Sequence, residues 1–481
     1  MDPSPDQNVR IPWWVTALDV LSAVVAGLLL RSVVSDDYQI RFTETLEISL
    51  RSSTRVAIWL AALLGLRHFL WRAVPWHARV GGTLRALVRS DALRAAWGPF
   101  IVSRTVVLSA GFVAVNTIGF VTKGRPAWDL GSSVLELFER WDAWWYFRIA
   151  RQGYLYRSFF DPVQESEVAF FPALPLLMRA GRVVLDVNLW LAGIIIVTLA
   201  FVWGLTYVYR LARLDVPPAE ARASVMFLAF YPFAVCYSAV LTESLFLLAA
   251  AGAFFHFRRG ELWKAGLFGF FIGLLRPNGF QLAVPLGLMA LLPFARHRGW
   301  IPRTEQGPVT NVRWPDLLVQ LAIAALPILG MLLYAEHLDR LTGNPFAFVE
   351  AQQAWGRKPL GILDILNDRW ALIRTEGWSG YVDLHMAEIL DGAAALLGLA
   401  AIWPVTRRFG AAYGVFVAMT VLPPIISLGA LSLGRFTAPL FPIFLWLGTS
   451  VPSERRPYLL AVFAAGQALI AVLFYTWRPP Y

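Results

Sequence analysis

The residue best suited to chemistry in this sequence is Asp142, which lies in the aromatic-rich stretch 138–175. Residues 133–150 have helical amphipathicity, with aromatic side chains such as Trp141 on one side and charged side chains such as Arg140 toward the other. A helix of this kind lies in the plane of a membrane interface, with its aromatic face in the lipid. We therefore expect Asp142 at the membrane–water boundary, as a catalytic base or, alternatively, as a solvated charge on an interfacial anchor.

A single carboxylate is sufficient for the transfer of a sugar from a phosphate-activated donor. The carboxylate takes the proton of the acceptor hydroxyl, and the phosphate leaves as a stable anion that needs no acid. Glycoside hydrolases need two carboxyl groups because their leaving alcohol must be protonated. Asp142 alone is therefore compatible with sugar transfer.

Three further charged residues fall near the predicted outer ends of membrane helices. Glu243 is a functional candidate because an acid within a membrane helix is energetically expensive, although a helix-end carboxylate could simply reach interfacial water. Arg276 and Arg435 could hold an anionic donor, since a guanidinium group matches a phosphate through two hydrogen bonds. The alternative for both arginines is snorkelling to lipid headgroups. Arg104, inside the predicted helix 98–120, is a third candidate for holding an anionic donor, although we expect it to snorkel at the cytoplasmic end of that helix.

The composition predicts an all-α, polytopic membrane protein that positions these residues. The chain has 481 residues, 57% of them hydrophobic and 15% charged, more apolar than a soluble core requires. Its apolar runs predict about thirteen membrane helices. They are residues 14–34, 56–76, 98–120, 186–208, 221–235, 237–256, 262–276, 279–295, 315–336, 386–404, 410–428, 434–450 and 457–476.

The positions of the arginines predict the orientation. Short basic loops stay in the cytoplasm, and with thirteen spans all the basic segments fall on one side. These segments are 77–95, 209–222, 257–264, 296–313, 405–409 and 451–456. The longer segments 121–185 and 337–385 then face outward and are the predicted sites of a polar active centre.

Other function classes fit the sequence less well. The net charge of +10 does not predict nucleic-acid binding, because the basic residues punctuate apolar runs. Cys236 is the only cysteine, so a disulfide within the chain and a cysteine-based metal site are excluded. The six histidines show no pair at metal-ligand spacing, and we predict neither a metal site nor a cofactor.

Four stretches resemble the glycosylphosphatidylinositol mannosyltransferase II family and its bacterial relatives, which belong to the GT-C class of integral-membrane glycosyltransferases. They are Trp141-Asp142 with Gly153-Tyr154, Phe170-Phe171-Pro172 with Pro175, Thr242-Glu243-Ser244 after Tyr231-Pro232, and Arg276-Pro277-Asn278-Gly279. The resemblance covers roughly residues 100–290. It is looser in the C-terminal half, through Asn344 to Gln352 and Gly434-Arg435-Phe436.

The resemblance implies an inverting transfer of mannose from a polyprenyl-phosphate carrier to a glycolipid or protein acceptor. It implies a multi-pass protein of the bacterial plasma membrane, with its active site on the extracytoplasmic side. Asp142 matches the catalytic carboxylate in the first outer loop, and Glu243 is expected to bind hydroxyl groups or orient Asp142. Arg276 and Arg435 are expected to bind the donor phosphate. The residues expected to contact substrate are Trp141, Tyr154, Asn278 and Gln352.

The domain organisation and one alternative function complete these expectations. Residues 1–95 are predicted to hold two additional membrane helices and a basic cytoplasmic loop, and the first apolar segment has no cleavage site typical of a signal peptide. Residues 96–481 form the predicted GT-C-like core. The alternative is a secondary transporter or lipid flippase, although the chain lacks the paired repeats that are typical of transporters.

Overall fold

A computed structural model describes most of the chain. The described residues are 12–34, 39–41, 47–49, 53–71, 75–77, 79, 82, 90–121, 131–155, 166–302, 313–355, 362–428 and 432–478. The chain divides into two compact units. The first is Met1–Ser90 with Ala180–Asn188, and the second is Asp91–Arg179 with Leu189–Tyr481.

Where it is described, the first unit has two long apolar helices and a small antiparallel pair of strands. Its elements are α1 (Trp13–Val34), β1 (Gln39–Arg41), β2 (Glu47–Ser49) and α2 (Ser53–Leu70). Asp19 of α1 accepts a hydrogen bond of 2.8 Å from the buried Arg67 of α2 and a second one from Arg79. The pairing of charges stabilises the buried Arg67, because an unpaired buried charge is very costly.

All the regular elements described in the second unit are helices. Its helices up to the basic segment near residue 300 are α3 (Asp91–Thr117), α4 (Ala143–Gln152), α5 (Ala173–Leu185), α6 (Leu189–Ala212), α7 (Pro218–Phe230), α8 (Glu243–Arg258), α9 (Leu262–Gly273) and α10 (Ala283–His297). The residues of α5 from Ala180 onward are assigned to the first unit. The later helices are α11 (Trp314–Ala324), α12 (Leu326–Thr342), α13 (Ala347–Glu350), α14 (Ile362–Leu384), α15 (Met386–Phe409), α16 (Ala411–Leu428), α17 (Leu433–Thr437), α18 (Phe441–Ser450) and α19 (Arg456–Tyr475).

The helices have the length and composition of a multi-pass membrane protein. Among the described residues, six helices or helix pairs are long and apolar enough to cross a membrane: Asp91–Thr117, Leu189–Ala212, Pro277–His297, Trp314–Thr342, Met386–Phe409 and Ser453–Tyr475. A seventh candidate is α7 together with the 3₁₀ helix Pro232–Ser238, which is bent by 75°. Four shorter apolar helices accompany them. The predicted all-α membrane class is therefore confirmed, while the count of thirteen spans stays a prediction.

The predicted amphipathic helix 133–150 is divided in the structure. A 3₁₀ helix, Glu136–Glu139, precedes α4, and the chain turns between them at Trp141, whose φ is +59°. A positive φ cannot continue a right-handed helix. Arg140, predicted on the solvated side, is instead 1% exposed and donates to the carbonyl oxygens of Glu136 (2.9 Å) and Tyr475 (3.3 Å). These carbonyl groups replace the water that the guanidinium loses.

The predicted outer segment 337–385 is largely helical where it is described. The end of α12, the short α13 and a 3₁₀ helix at Ala351–Trp355 come first, followed by α14. Helix α14 has a break at Gly377, where φ is +70°. A glycine reaches this conformation without the steric penalty that a side chain would meet. Residues 356–361, including Arg357, lie outside the described part of the chain.

Candidate active site

Four charged side chains, distant in sequence, form one ionic cluster. Arg435 bridges two carboxylates: its Nη1 donates to Asp142 Oδ2 and its Nε to Glu243 Oε1. Arg276 Nη1 donates to the same Glu243 oxygen at 2.8 Å. The side chain of Asp142 is 30% exposed and that of Glu243 is fully buried, whereas each arginine side chain is 10% exposed. The two arginines therefore do not snorkel; they balance two carboxylates inside the protein.

The position of Asp142 depends on the turn before α4. Trp141, with its positive φ, is fixed by a hydrogen bond of 3.0 Å from its Nε1 to the Phe474 carbonyl oxygen and by ring contact with Trp477 at 4.9 Å. Asp142 is the N-cap residue of α4, but its side chain makes no capping hydrogen bond. Backbone strain of this kind persists only where the surroundings enforce it. Here it directs a carboxylate to Arg435 instead of to the helix end.

Arg435 is positioned by a buried acid that the sequence analysis did not single out. Asp391 of α15 is 1% exposed, and its two oxygens accept the backbone N–H groups of Ser432 and Gly434, each at 2.7 Å. Ser432 has a φ of +63° and directly precedes α17. Asp391 therefore holds the first turn of the short helix that carries Arg435.

Glu243 and Arg276 come from the helices on either side of α9. Glu243 begins α8, where the helix dipole favours an acid. Arg276 precedes the 3₁₀ helix Pro277–Leu282, and its guanidinium group lies 4.8 Å from the centre of the Phe436 ring. Gly279 permits this arrangement, because a Cβ atom there would lie 2.0 Å from the carbonyl oxygen of Ile272.

The ionic cluster forms part of the wall of a cavity of about 380 Å³. Its lining includes Asp142, Arg276 and Arg435, and Asp142 is the only acidic residue among the described residues that line it. The apolar part of the wall includes Trp141, Tyr146, Ala169, Phe170, Phe171, Leu275, Met419 and Phe436. A cavity of this size, apolar with a few convergent polar groups, is typical of a site for a small molecule.

Unsatisfied polar oxygens lie in or behind this wall. Asn278 Oδ1 and Gln281 Oε1 belong to residues that line the cavity, and both atoms are buried without a hydrogen-bond partner among the described residues. The same holds for Glu243 Oε2, behind the wall. In a 3₁₀ helix, residues three apart lie on the same side, so Asn278 and Gln281 face the cavity together. Buried polar atoms are usually satisfied, so these oxygens are candidates for hydrogen bonds from a ligand's donors.

Most of the predicted site residues meet at this cavity. Trp141, Asp142, Asn278 and Gln352 line it together with the two arginines, and Glu243 lies behind them. Gln352 also donates to the Phe348 carbonyl oxygen at 3.2 Å. Tyr154 does not line the cavity; its hydroxyl donates to the carbonyl oxygen of Phe170, which does, at 2.6 Å.

Arg104 has a structural environment that differs from the prediction. It is 7% exposed and does not snorkel at a helix end. Its Nη1 donates to the Ala234 carbonyl oxygen and to Ser238 Oγ, both at 2.7 Å, and its Nη2 donates to the Ala229 carbonyl oxygen at 3.2 Å. Ala229, Ala234 and Ser238 belong to the bent segment from α7 to residue 238, whose broken helix leaves carbonyl groups without helical partners. Arg104 therefore satisfies the backbone at this bend.

The 3₁₀ helix before Asp142 carries two acids with opposite pKa shifts. Burial raises the pKa of Glu139 to about 7, and the nearby Glu136 adds to this effect. A hydrogen bond from Ser133 instead lowers the pKa of Glu136. Neither carboxyl group lines the cavity. Among the described residues, no group of three or more His, Cys, Asp or Glu side chains is arranged to hold a metal ion.

Solved structures with some similarity are archaeal oligosaccharyltransferases. A crystal structure of the Archaeoglobus fulgidus enzyme with zinc and sulfate aligns with a TM-score of 0.35 and 15% identity, over 78% of this chain and 53% of that chain. The same organism's enzyme with an inhibitory peptide and a dolichol-phosphate aligns with a TM-score of 0.37 and 14% identity, over 79% of this chain and 56% of that one. This chain thus spans about half the length of those proteins.

Among curated proteins, no relative matches the chain. A family model does match, over residues 127–289. The matched part contains Trp141, Asp142, Glu243, Arg276 and Asn278, which are also residues of the ionic cluster and the cavity wall. This match confirms the resemblance predicted from the motifs: residues 127–289 are similar to the family described as mannosyltransferase (PIG-V).

Proposed function

We propose that this protein is an integral-membrane glycosyltransferase that moves mannose from a polyprenyl-phosphate carrier to an acceptor hydroxyl group. The observation that carries the proposal is the ionic cluster of Asp142, Arg435, Glu243 and Arg276 at the wall of a cavity. It combines one accessible carboxylate with two arginines that can receive a phosphate. The family match over residues 127–289 supports a sugar-transfer function and mannose as the sugar.

Asp142 is the general base in this proposal. It is the only acid among the described residues that line the cavity, and its side chain is partly exposed. The acceptor oxygen forms a bond to the anomeric carbon as the bond from that carbon to the phosphate oxygen breaks, with inversion. The hydroxyl proton passes to Asp142, and the polyprenyl phosphate leaves with the electron pair of the broken bond.

Arg276 and Arg435 bind the donor phosphate. The bond to Glu243 occupies Nη1 of Arg276, and a guanidinium group has five N–H donors in all. Arg435 is shared between Asp142 and Glu243. When a phosphate binds, Arg435 turns its Nη1 from Asp142 toward the phosphate, which frees the carboxylate to accept a proton. The same cations stabilise the negative charge that develops on the leaving phosphate.

Glu243 keeps the two arginines close together. Two like charges repel, and the buried carboxylate between them offsets this repulsion. Its Oε2 has no hydrogen-bond partner among the described residues, so it can also accept a hydroxyl group of the sugar. Glu243 therefore acts on the donor and, through Arg435, on the orientation of Asp142.

The sugar is bound by the polar part of the cavity wall. The side-chain oxygens of Asn278 and Gln281 accept its hydroxyl groups, and Gln352 lies on the same wall. Trp141 contributes an apolar surface beside Asp142. Tyr154 acts indirectly: its hydroxyl group donates to the carbonyl oxygen of Phe170 and so positions a residue of the cavity wall.

The proposed cellular setting follows from the loops and the donor chemistry. The active site faces the extracytoplasmic side of a bacterial plasma membrane, opposite the basic loops. The lipid bilayer delivers the polyprenyl-phosphate donor, and a glycolipid or protein supplies the acceptor hydroxyl group. The transfer uses no metal ion or cofactor, because the donor's phosphate is itself a stable leaving group.

Transfer of labelled mannose by an Asp142→Asn variant tests this function. Membranes that contain the wild type or the variant are incubated with radiolabelled polyprenyl-phosphate mannose, and labelled glycoside is separated from donor and free sugar. We expect the variant to lose at least about 10²-fold in transfer rate, the typical contribution of a general base. Equal rates for the two proteins would remove Asp142 from the mechanism.

The matched control is Glu139→Gln, three residues earlier. Its carboxyl group does not line the cavity, so transfer should stay close to the wild-type rate. The assay also separates transfer from the alternative of lipid transport. A transporter would move labelled lipid between leaflets without forming a glycoside.

A further inference from the structure

A second cavity, of about 690 Å³, lies near the opposite end of α8 from Glu243. His256, one of its lining residues, is separated from Glu243 by about 20 Å along α8 at the usual helical rise. Its wall is formed by the last turns of α6 and α8, the turn after α8, and one side of α9 from Trp263 to Phe271. None of its lining residues belongs to the first cavity.

This second cavity carries more positive than negative charge. Arg210, Arg259 and Lys264 line it together with one carboxylate, Glu261. Glu261 accepts hydrogen bonds from Arg259 at 3.0 Å and from Lys264, and it contacts His256 Nδ1 at 2.9 Å. These bonds hold the pKa of Glu261 down to about 2, so the carboxylate is ionised. One negative charge thus faces three cations, even with His256 neutral.

Arg210 is the cation best placed for a ligand. It is exposed, and its guanidinium carbon lies 4.8 Å from the centre of the Phe255 ring and 5.6 Å from that of Tyr207. Arg210 has no ion pair with a carboxylate among the described residues. Stacking on aromatic rings orients the planar guanidinium group while leaving its N–H donors for a phosphate.

Apolar side chains at the same cavity point to a lipid environment. Trp263 is 65% exposed and Leu267 is 60% exposed, and both line the cavity beside the cations. Arg210 lies in the last turn of α6, a helix long and apolar enough to cross a membrane. An exposed tryptophan and leucine next to basic groups at the end of a membrane helix are typical of the bilayer interface.

We propose that this cavity binds the headgroup of an anionic phospholipid. The phosphate lies between Arg210 and Lys264, and the acyl chains run along Trp263 and Leu267. Basic pockets between membrane helices on the cytoplasmic side bind acidic lipid headgroups by this combination of charge and apolar contact. A free phosphate ion would use the cations but would make no contact with the apolar residues beside them.

Lipid titration of the full-length protein tests the proposal. Purified protein in detergent is titrated with phosphatidylglycerol, and in parallel with phosphatidylcholine, and bound lipid is measured by native mass spectrometry. The variants are Arg210→Gln, Lys264→Gln and the double variant. We expect each lost cation to weaken phosphatidylglycerol binding about fivefold, with phosphatidylcholine binding unchanged. Arg210→Lys keeps the charge and should retain most of the affinity.

The matched control is Arg407→Gln. Arg407 is also exposed and stacks near a tryptophan, Trp403, at 5.8 Å, but it does not line the cavity. An equal loss in this control, or no loss in the double variant, overturns the proposal. Competition by millimolar inorganic phosphate at the same site would assign it to a free anion and overturn the lipid assignment. The measurement does not involve sugar transfer, so its outcome is independent of the function proposed for the first cavity.

Discussion

The two ends of α8 both carry ionic clusters, but water reaches them to very different degrees. At the first end, the side chain of Glu243 is 0% exposed and that of Arg435 is 10% exposed. At the second end, the side chain of Glu261 is 28% exposed and that of Lys264 is 39% exposed. The first cluster has two carboxylates for two arginines, whereas the second has more cations than carboxylates. The same residue types thus occur in two contrasting electrostatic settings.

The difference shows what each cluster is suited to do. Removing an ion from water is costly by several kcal/mol, and a well-packed apolar pair of similar size often gives equal or greater stability. A buried cluster such as that around Glu243 is therefore explained better by chemistry than by stability. Exposed pairs contribute little to stability, but they can exchange their partners readily. This exchange suits the reversible binding of a charged headgroup beside Glu261.

Neutralising one acid at each end gives the largest expected contrast. Glu243→Gln leaves Arg276 and Arg435 with less negative charge to balance them inside the protein, and we expect a loss of about 3–5 kcal/mol in the free energy of unfolding. Glu261→Gln removes a partly exposed carboxylate that solvent screens, and we expect a loss of no more than about 1 kcal/mol. Chemical unfolding of the purified full-length variants in detergent measures both.

The same pair of variants can contradict the comparison. Equal losses would mean that burial does not separate the two ends of α8. If only Glu261→Gln lowered the free energy of unfolding, the cluster around Glu261, and not the one around Glu243, would be the one whose charges the fold depends on. Glutamine keeps the volume of glutamate and can accept one hydrogen bond, so the contrast isolates the charge.

Much of the candidate site could be predicted because its residues have unusual positions in the sequence. Arg276 and Glu243 are charges within or beside apolar runs, and few roles explain such charges. What the sequence does not provide is the pairing: Arg435 lies 192 residues from Glu243 and 293 from Asp142, and these separations carry no signal of contact. The membrane class was predictable from apolar run lengths, but helix ends and bends depend on tertiary contacts.

Two residues show why other parts of the site were missed. Asp391 falls inside a predicted membrane helix, and its acidic character was a usable signal, but its role as a cap for the backbone near Gly434 depends on a distant turn. Gln281 falls inside the predicted membrane helix 279–295, whereas the structure places it with Asn278 in the 3₁₀ helix Pro277–Leu282 at the cavity wall. An α-helix would also place residues three apart on one face, but rotated by about 60° from each other instead of aligned.

Removing one charge that supports Arg435 should have a smaller effect than removing Glu243. Asp391→Asn keeps one carbonyl oxygen for Gly434 but places an amide N–H group against the N–H of Ser432. We expect a loss of about 2 kcal/mol in stability, the typical value for a hydrogen bond to a charged group. Because Asp391 acts through Arg435, the KM for the lipid-linked donor should rise more than kcat falls.

The control for this variant lies on the same helix. Glu388 is 30% exposed and pairs with Arg369 at 2.8 Å, so Glu388→Gln should change stability by less than about 1 kcal/mol. It should also leave the donor KM unchanged. A proportional fall of kcat and kcat/KM in Asp391→Asn, with KM unaltered, would contradict the positioning role. Unfolding curves and steady-state transfer rates provide these values.

The smallest predicted effect compares two acids within one 3₁₀ helix, Glu139 and Glu136. The pKa of Glu139 is raised by burial from its ordinary value of 4.5 to about 7. The folded state therefore binds more protons than the unfolded state between these two values, and stability falls as the pH rises through this window. Glu139→Gln should remove this decrease. In the wild type, the slope of the unfolding free energy against pH corresponds to at most about one proton.

The contribution of Glu136 to stability changes with pH in the opposite direction. Its pKa is lowered by the hydrogen bond from Ser133, so its contribution is present above the ordinary value of 4.5 and is lost as the pH falls through the lowered value. Glu136→Gln should therefore weaken stability at neutral pH, while most of the decrease between pH 4.5 and 7 should remain, because burial is the larger cause of the raised pKa of Glu139. Thermal unfolding of the two variants and the wild type across pH 4 to 8 distinguishes them. If Glu139→Gln keeps the wild-type slope while Glu136→Gln loses it, then desolvation is not the dominant effect beside Asp142.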